Sequence, residues 1–225
     1  MTRKTRKTHK MLKVLLAVCC AALLVCVTIG ATVAYLTSQD TVTNTFTVGN
    51  VQITLDEAKV GTNGKEITGT DAERVNSNEY KLFPGGEYDK EPTIHVDSKS
   101  EDAYLGVKVV FEGSKKADEK LNLDMLSIFS GFDARKWTIE EKTETDGDVY
   151  YLLTYKEVVS KNNNIVLFNK IMIPEDMTND EIAYLNGIKM EITAYAVQKD
   201  GFDSAAVALS TAFNDVFTAP DPAGT

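Results

Sequence analysis

From residue 46 onward, apolar positions alternate with polar ones in short runs, the period of a half-buried β-strand. Phe46, Val48, Val51, Ile53 and Leu55 make two such runs, broken at Gly49-Asn50. Residues 103–111 set Ala103, Leu105, Val107, Val109 and Phe111 on one side against Tyr104, Gly106, Lys108 and Val110 on the other. Residues 189–198 repeat the pattern with Met190, Ile192, Ala194 and Ala196. Trp137 to Glu140 and residues 149–159 flank a polar stretch ending in Asp146-Gly147, which predicts a β-hairpin. Residues 165–173 add a further apolar strand, closed by Pro174. Strands of this number and spacing predict an all-β fold, a jelly-roll-like β-sandwich.

Helical signals are short and peripheral. Residues 121–129, residues 180–185 behind a Thr178 cap, and residues 203–213 behind Asp203 or Ser204 are the candidates. The last of these is alanine-rich and is expected to pack against the sheet edge. Residues 59–78 and 113–120 read as loops, and residues 218–225 as a disordered tail.

A different pattern precedes the strands. Arg3, Lys4, Arg6, Lys7, Lys10 and Lys13 form a basic head, and residues 14–29 are an unbroken apolar run. Gly30-Ala31-Thr32-Val33-Ala34-Tyr35 follows, with small residues where a signal peptidase reads its −3 and −1 positions. Thr32 and Ala34 take those positions, and cleavage falls before Tyr35. Sixteen helical residues reach about 24 Å, short of the ~30 Å hydrocarbon core. The alternative is an uncleaved anchor continuing through Leu36, and in that case alone the protein touches the membrane. The expected organisation is a signal peptide over 1–34, a β-sandwich over 35–217 and the tail over 218–225.

Cleavage leaves 191 of the 225 residues and removes all three cysteines, Cys19, Cys20 and Cys26. Disulfides, thiol nucleophiles and Cys-ligated zinc are thereby excluded from the mature chain. The leader holds six of the 24 basic residues and none of the 33 acidic ones, so the net charge moves from −9 to −15. An acidic surface argues against nucleic acid as a partner. His95 is the one histidine left, on an alternating Thr93-Ile94-His95-Val96 run. No HExxH, GxSxG or GxxxxGK[ST] pattern is present. Trp137 is expected to fill the core. Asp146-Gly147-Asp148 and Asp200-Gly201-Phe202-Asp203 read as turns, because neither continues into EF-hand spacing. No cofactor, metal site or catalytic residue is assigned.

Several motifs together resemble the TasA/camelysin family of exported biofilm-matrix proteins. The junction from Gly30 to Tyr35, followed by Asn44-Thr45-Phe46-Thr47-Val48-Gly49, is similar to leaders cut by SipW-type signal peptidases of Gram-positive bacteria. Leu82-Phe83-Pro84-Gly85-Gly86 resembles the family's Pro-Gly turn, and Ala194-Tyr195-Ala196-Val197-Gln198 its closing strand. The resemblance spans residues 14–217. It implies a jelly-roll sandwich and assembly into extracellular fibres, in which the freed N-terminal strand of one subunit pairs with a sheet of the next. Thr41, Val42, Thr43, Thr45, Phe46 and Val48 would carry that donation, within a Thr-rich segment that lacks Pro and Gly. The implied partners are a SipW-type peptidase during export, further copies of the chain, and other matrix or cell-surface components. A simple first strand of the chain's own sheet is the competing expectation for this segment. A monomeric adhesive or ligand-binding sandwich is the alternative function. Camelysin-like proteolysis is a third, and it is not carried over to a mature chain with one histidine and no recognisable metal cluster.

Overall fold

The computed structural model describes residues 38–114 and 124–218; for residues 38–44 and Met125 it describes the backbone only. Thirteen strands and two short α-helices follow in order among them. They are β1 (Ser38–Val48), β2 (Ile53–Ala58), β3 (Arg74–Val75), β4 (Ser77–Tyr80), β5 (Glu87–Asp89), β6 (Thr93–Val96) and β7 (Ala103–Glu112). Next come β8 (Phe129–Ser130), β9 (Trp137–Thr143), β10 (Val149–Tyr155), β11 (Asn164–Val166), β12 (Lys170–Met172), α1 (Asn179–Leu185), β13 (Lys189–Gln198) and α2 (Ala205–Ala212). The all-β expectation holds. One six-stranded sheet has the order β4-β1-β13-β7-β10-β9; the others are β11-β6-β2-β3 and β5-β12-β8.

Alternation decides which face of the large sheet meets the small ones. Leu105, Val107, Val109 and Phe111 of β7, Met190, Ile192 and Ala194 of β13, and Tyr151 and Leu153 of β10 all point into one core. That core also holds Ile53, Leu55, Ile94 and Val96 of the second sheet, and Tyr88, Phe129 and Ile171 of the third. The hydrophobic effect over this shared layer holds the three sheets together. Trp137 is buried there, 4.8 Å from Tyr155 between ring centroids, as its sequence context predicts.

The opposite face of the large sheet is covered in part by α2, which lies over the interior strands β13, β7 and β10 and not against the sheet edge as expected. Ala208, Leu209 and Phe217 pack there on Leu152, Tyr195 and Val197. Gly106 permits the approach: a β-carbon in its place would lie 2.7 Å from Phe217 Cζ and 2.9 Å from Leu209 Cδ1. Ser204 caps α2 by accepting from the Val207 N–H. Thr178 and Glu181 form a complete capping box on α1, whose buried Ile182 and Leu185 face the main core. Both helices lie where the cap signals place them.

Three expectations need correction. Residues 59–78 are not simply a loop: they contain a 3₁₀ turn (Gly69–Asp71), β3 and the start of β4, because the chain crosses there from one sheet to another. The apolar run 165–173 is two strands in different sheets, β11 and β12. They are separated by the buried pair Leu167 and Phe168, which anchor the crossing. Residues 125–128 form a 3₁₀ turn capped by Asp124, and β8 begins at Phe129, so no α-helix reaches that position. Residues 115–123 and 219–225, including the expected tail beyond Thr218, lie outside the described residues, as do Thr32, Ala34 and Tyr35.

Candidate self-association strand and polar clusters

β1 occupies an interior slot. It pairs parallel with β13, Thr41 opposite Glu191, Val42 opposite Ile192, Thr45 opposite Ala194, Phe46 opposite Tyr195 and Val48 opposite Val197. On its other side Ser38 to Thr41 pair antiparallel with Tyr80 to Ser77 of β4. Thr43 falls in the irregularity between Val42 and Thr45, where the register slips. All six residues expected to carry strand donation therefore lie on one strand, and that strand pairs within its own chain, along β13 on one side and over Ser38 to Thr41 with β4 on the other. A parallel first-to-last pairing was not legible from alternation, which carries no directional information.

The far end of β1 is built to turn. Gly49 has φ +86°, and a β-carbon there would lie 2.6 Å from Gln198 Cβ; the Gln198 side chain also accepts from the Asn50 N–H at 3.1 Å. The chain then passes into β2 and the opposing sheet. Phe46 and Val48 keep about half and two-fifths of their surface exposed. Phe46 stacks on Tyr195 at 5.5 Å, and Tyr195 also meets the edges of Phe213 and Phe217. Burial pushes the Tyr195 phenol above its usual range, with Glu191 adding to the shift. At the opposite margin of this sheet β9 is an edge strand whose exposed residues include Glu140 and Glu141, a charged edge that resists further pairing.

Two polar clusters sit away from β1. The first is on the surface: His95 Nε2 lies 2.8 Å from Asp56 Oδ1, and His95 Nδ1 lies 2.8 Å from Asn164 Oδ1. Arg74 bridges Asp56 and Glu91, and Glu91 accepts from the Ala58 N–H and from Thr93 Oγ1. Both ring nitrogens of His95 thus face oxygen atoms of the protein. This arrangement ties β2, β3, β6 and β11 side by side.

The second cluster is fully enclosed. Glu57 and Lys90 have no exposed side-chain surface, and Lys90 Nζ donates to Glu57 Oε2 at 2.6 Å. Asn78 Nδ2 donates to Glu57 Oε1 at 2.9 Å and to the Ala58 carbonyl at 2.8 Å, while Asn78 Oδ1 accepts from the Val60 N–H at 2.9 Å. Lys90 Nζ lies 5.5 Å from the ring centre of Tyr80, whose hydroxyl donates to the Asp89 carbonyl. Tyr80 and Tyr88 stand edge to face, both buried, and burial raises the Tyr88 phenol above its ordinary range. Glu57 belongs to the second sheet, Asn78 to the first, and Lys90 follows the third sheet's β5 directly. Sequence reasoning missed this trio. Its one local signal is a Glu at the position where the alternation of Ile53 and Leu55 calls for a third apolar residue.

Among the described residues, no group of three or more His, Cys, Asp or Glu side chains is arranged to hold a metal ion. No described helix is long and apolar enough to cross a membrane. Compared with protein-family models, with curated proteins and with solved structures, the chain finds no significant match.

Proposed function

We propose that this chain is an exported structural protein of a bacterial cell surface or biofilm matrix, and that it self-associates into fibres through β1. The observation that carries this reading is the position of β1. It is the N-terminal strand, it fills a slot between β4 and β13, and a glycine turn joins it to a different sheet. A strand so placed can leave its own slot and fill the same slot in a neighbour, where each main-chain bond is remade with an identical partner. Passed head to tail from copy to copy without closing into a ring, such a contact propagates as a filament. Half-exposed Phe46 and Val48 would then lie at the junction between copies.

The leader pattern ending at Thr32, Ala34 and Tyr35 supports export and processing by a SipW-type peptidase, after which Tyr35 is a free N-terminus three residues before β1. The resemblance to TasA/camelysin proteins supports the matrix role and a jelly-roll order for the sandwich. The acidic, thiol-less mature chain suits an extracellular location. The engagement of both His95 nitrogens supports a non-catalytic role.

The test is size-exclusion chromatography and negative-stain microscopy of the protein beginning at Tyr35. Fibres that grow with concentration are expected. A monomer that persists at high concentration from acid to neutral pH would count against the proposal, and binding to a matrix polymer by that monomer would favour an adhesive sandwich instead.

A further inference from the structure

We propose that Lys90 and Asn78 are the two halves of an intramolecular isopeptide bond, formed with Glu57 as the proton carrier. This goes beyond the fibre role and does not depend on it.

The enclosed cluster holds every group such a reaction needs. Lys90 supplies the amine, and Asn78 supplies the carboxamide. Glu57 stands between them, one carboxylate oxygen on Lys90 Nζ at 2.6 Å and the other on Asn78 Nδ2 at 2.9 Å. A single carboxylate therefore touches both the nucleophile and the leaving group. The amide cannot be turned over, because Oδ1 faces the Val60 N–H, a donor, while Nδ2 faces two acceptors. That backbone N–H is aimed at the oxygen on which negative charge develops, the task of an oxyanion donor. Tyr80 lies beside Lys90, backed by Tyr88, and the side chains of Glu57 and Lys90 are wholly out of water.

The chemistry balances without any co-reactant. Lys90 passes a proton to Glu57, and the amine lone pair forms a bond to Asn78 Cγ. Glu57 returns its proton to Nδ2, the Cγ–Nδ2 bond breaks, and ammonia leaves. The second proton on Nζ goes to Glu57, which ends as a neutral acid beside a new secondary amide. Two charges buried at a desolvation cost are thus replaced by two neutral groups. Folding supplies the rest: it fixes amine and carboxamide on one carboxylate, in place of a bimolecular encounter. The bond would join β4 of the large sheet to the end of β5 in the third. It would cross-link the sandwich where a mature chain without cysteine has no disulfide.

Mass spectrometry of the purified full chain reads this directly. The reaction removes one ammonia, so the intact mass should fall short of the sequence mass of the observed N-terminus by about 17 Da. Trypsin should fail at Lys90 and release a branched species, residues 75–81 joined to residues 82–99 through Asn78 and Lys90. Glu57→Gln keeps the shape and should restore the full mass together with cleavage at Lys90, and Lys90→Arg should do the same. Folded wild-type protein of full mass that yields linear 75–81 and a peptide ending at Lys90 would overturn the proposal. So would an ammonia loss that maps to any other residue. Because the decisive reading is made on the wild type, a misfolded variant leaves it intact.

Discussion

If β1 exchanges between copies, locking it at home must stop assembly. Thr41 and Ser77 face one another across the antiparallel β1–β4 pair. Opposed residues in such a pair have α-carbons about 4.5–5.5 Å apart, inside the range a disulfide spans. Thr41→Cys with Ser77→Cys, in a chain beginning at Tyr35 and so free of other thiols, gives one defined bridge. It closes a loop of roughly 37 residues, for which chain entropy gives about 4 kcal/mol of stabilisation, nearly three orders of magnitude in the folding equilibrium. Trp137, the single tryptophan and buried beside Tyr155, reports unfolding in urea under oxidising and reducing conditions. The oxidised monomer should be the more stable and should form no fibres, and reductant should restore assembly. Oxidation after assembly should instead yield a ladder of disulfide-linked oligomers on a denaturing gel. An oxidised monomer that assembles as fast as the reduced one would refute strand exchange.

Three further outcomes follow from the packing. Leu209→Ala empties a fully buried position above Gly106 and should cost about 2–5 kcal/mol in urea unfolding, loosening α2 before the main core. Phe46→Ala removes the stack on Tyr195, about 0.5–1.5 kcal/mol by the usual worth of aromatic pairs, and should raise the concentration at which fibres appear while the far-ultraviolet spectrum stays unchanged. Glu181 accepts from the Thr178 N–H and hydroxyl, which holds its carboxyl below its ordinary range. A lowered folded-state value means that the capping box is intact above the unfolded-state pKa and is lost as pH falls through the folded one. Protection factors at the Ile182 and Asn186 amides, each referred to the intrinsic exchange rate at the same pH, should therefore fall on acidification, and Glu181→Ala should abolish that dependence.

Local pattern carried the elements whose reasons are local. Alternation in residues 103–111 and 189–198 marks β7 and β13, although in β13 Thr193, Tyr195 and Val197 are buried as well, the last two in the cluster beneath α2. Asp146-Gly147 marks the β9–β10 hairpin, and Thr178 with Glu181 marks α1. Pairings distant in sequence left no such trace. β1 meets β13 about 150 residues away, with Thr41 opposite Glu191 and Val48 opposite Val197, and nothing in a Thr-rich strand states its neighbour or direction. β3 and β4 read as loop because Ser77, Asn78 and Glu79 are polar, yet Asn78 is buried once its amide is satisfied by Glu57, Ala58 and Val60. Glu57 and Lys90 look like solvated charges until the fold encloses them together.

A cryo-electron microscopy map of fibres grown from the chain beginning at Tyr35 would show whose β1 fills each slot. The strand between β4 and β13 in each globule should be β1 of the neighbouring copy, traced across the junction at Gly49-Asn50. Density in which β1 continues through Gly49 into β2 of its own globule would contradict it.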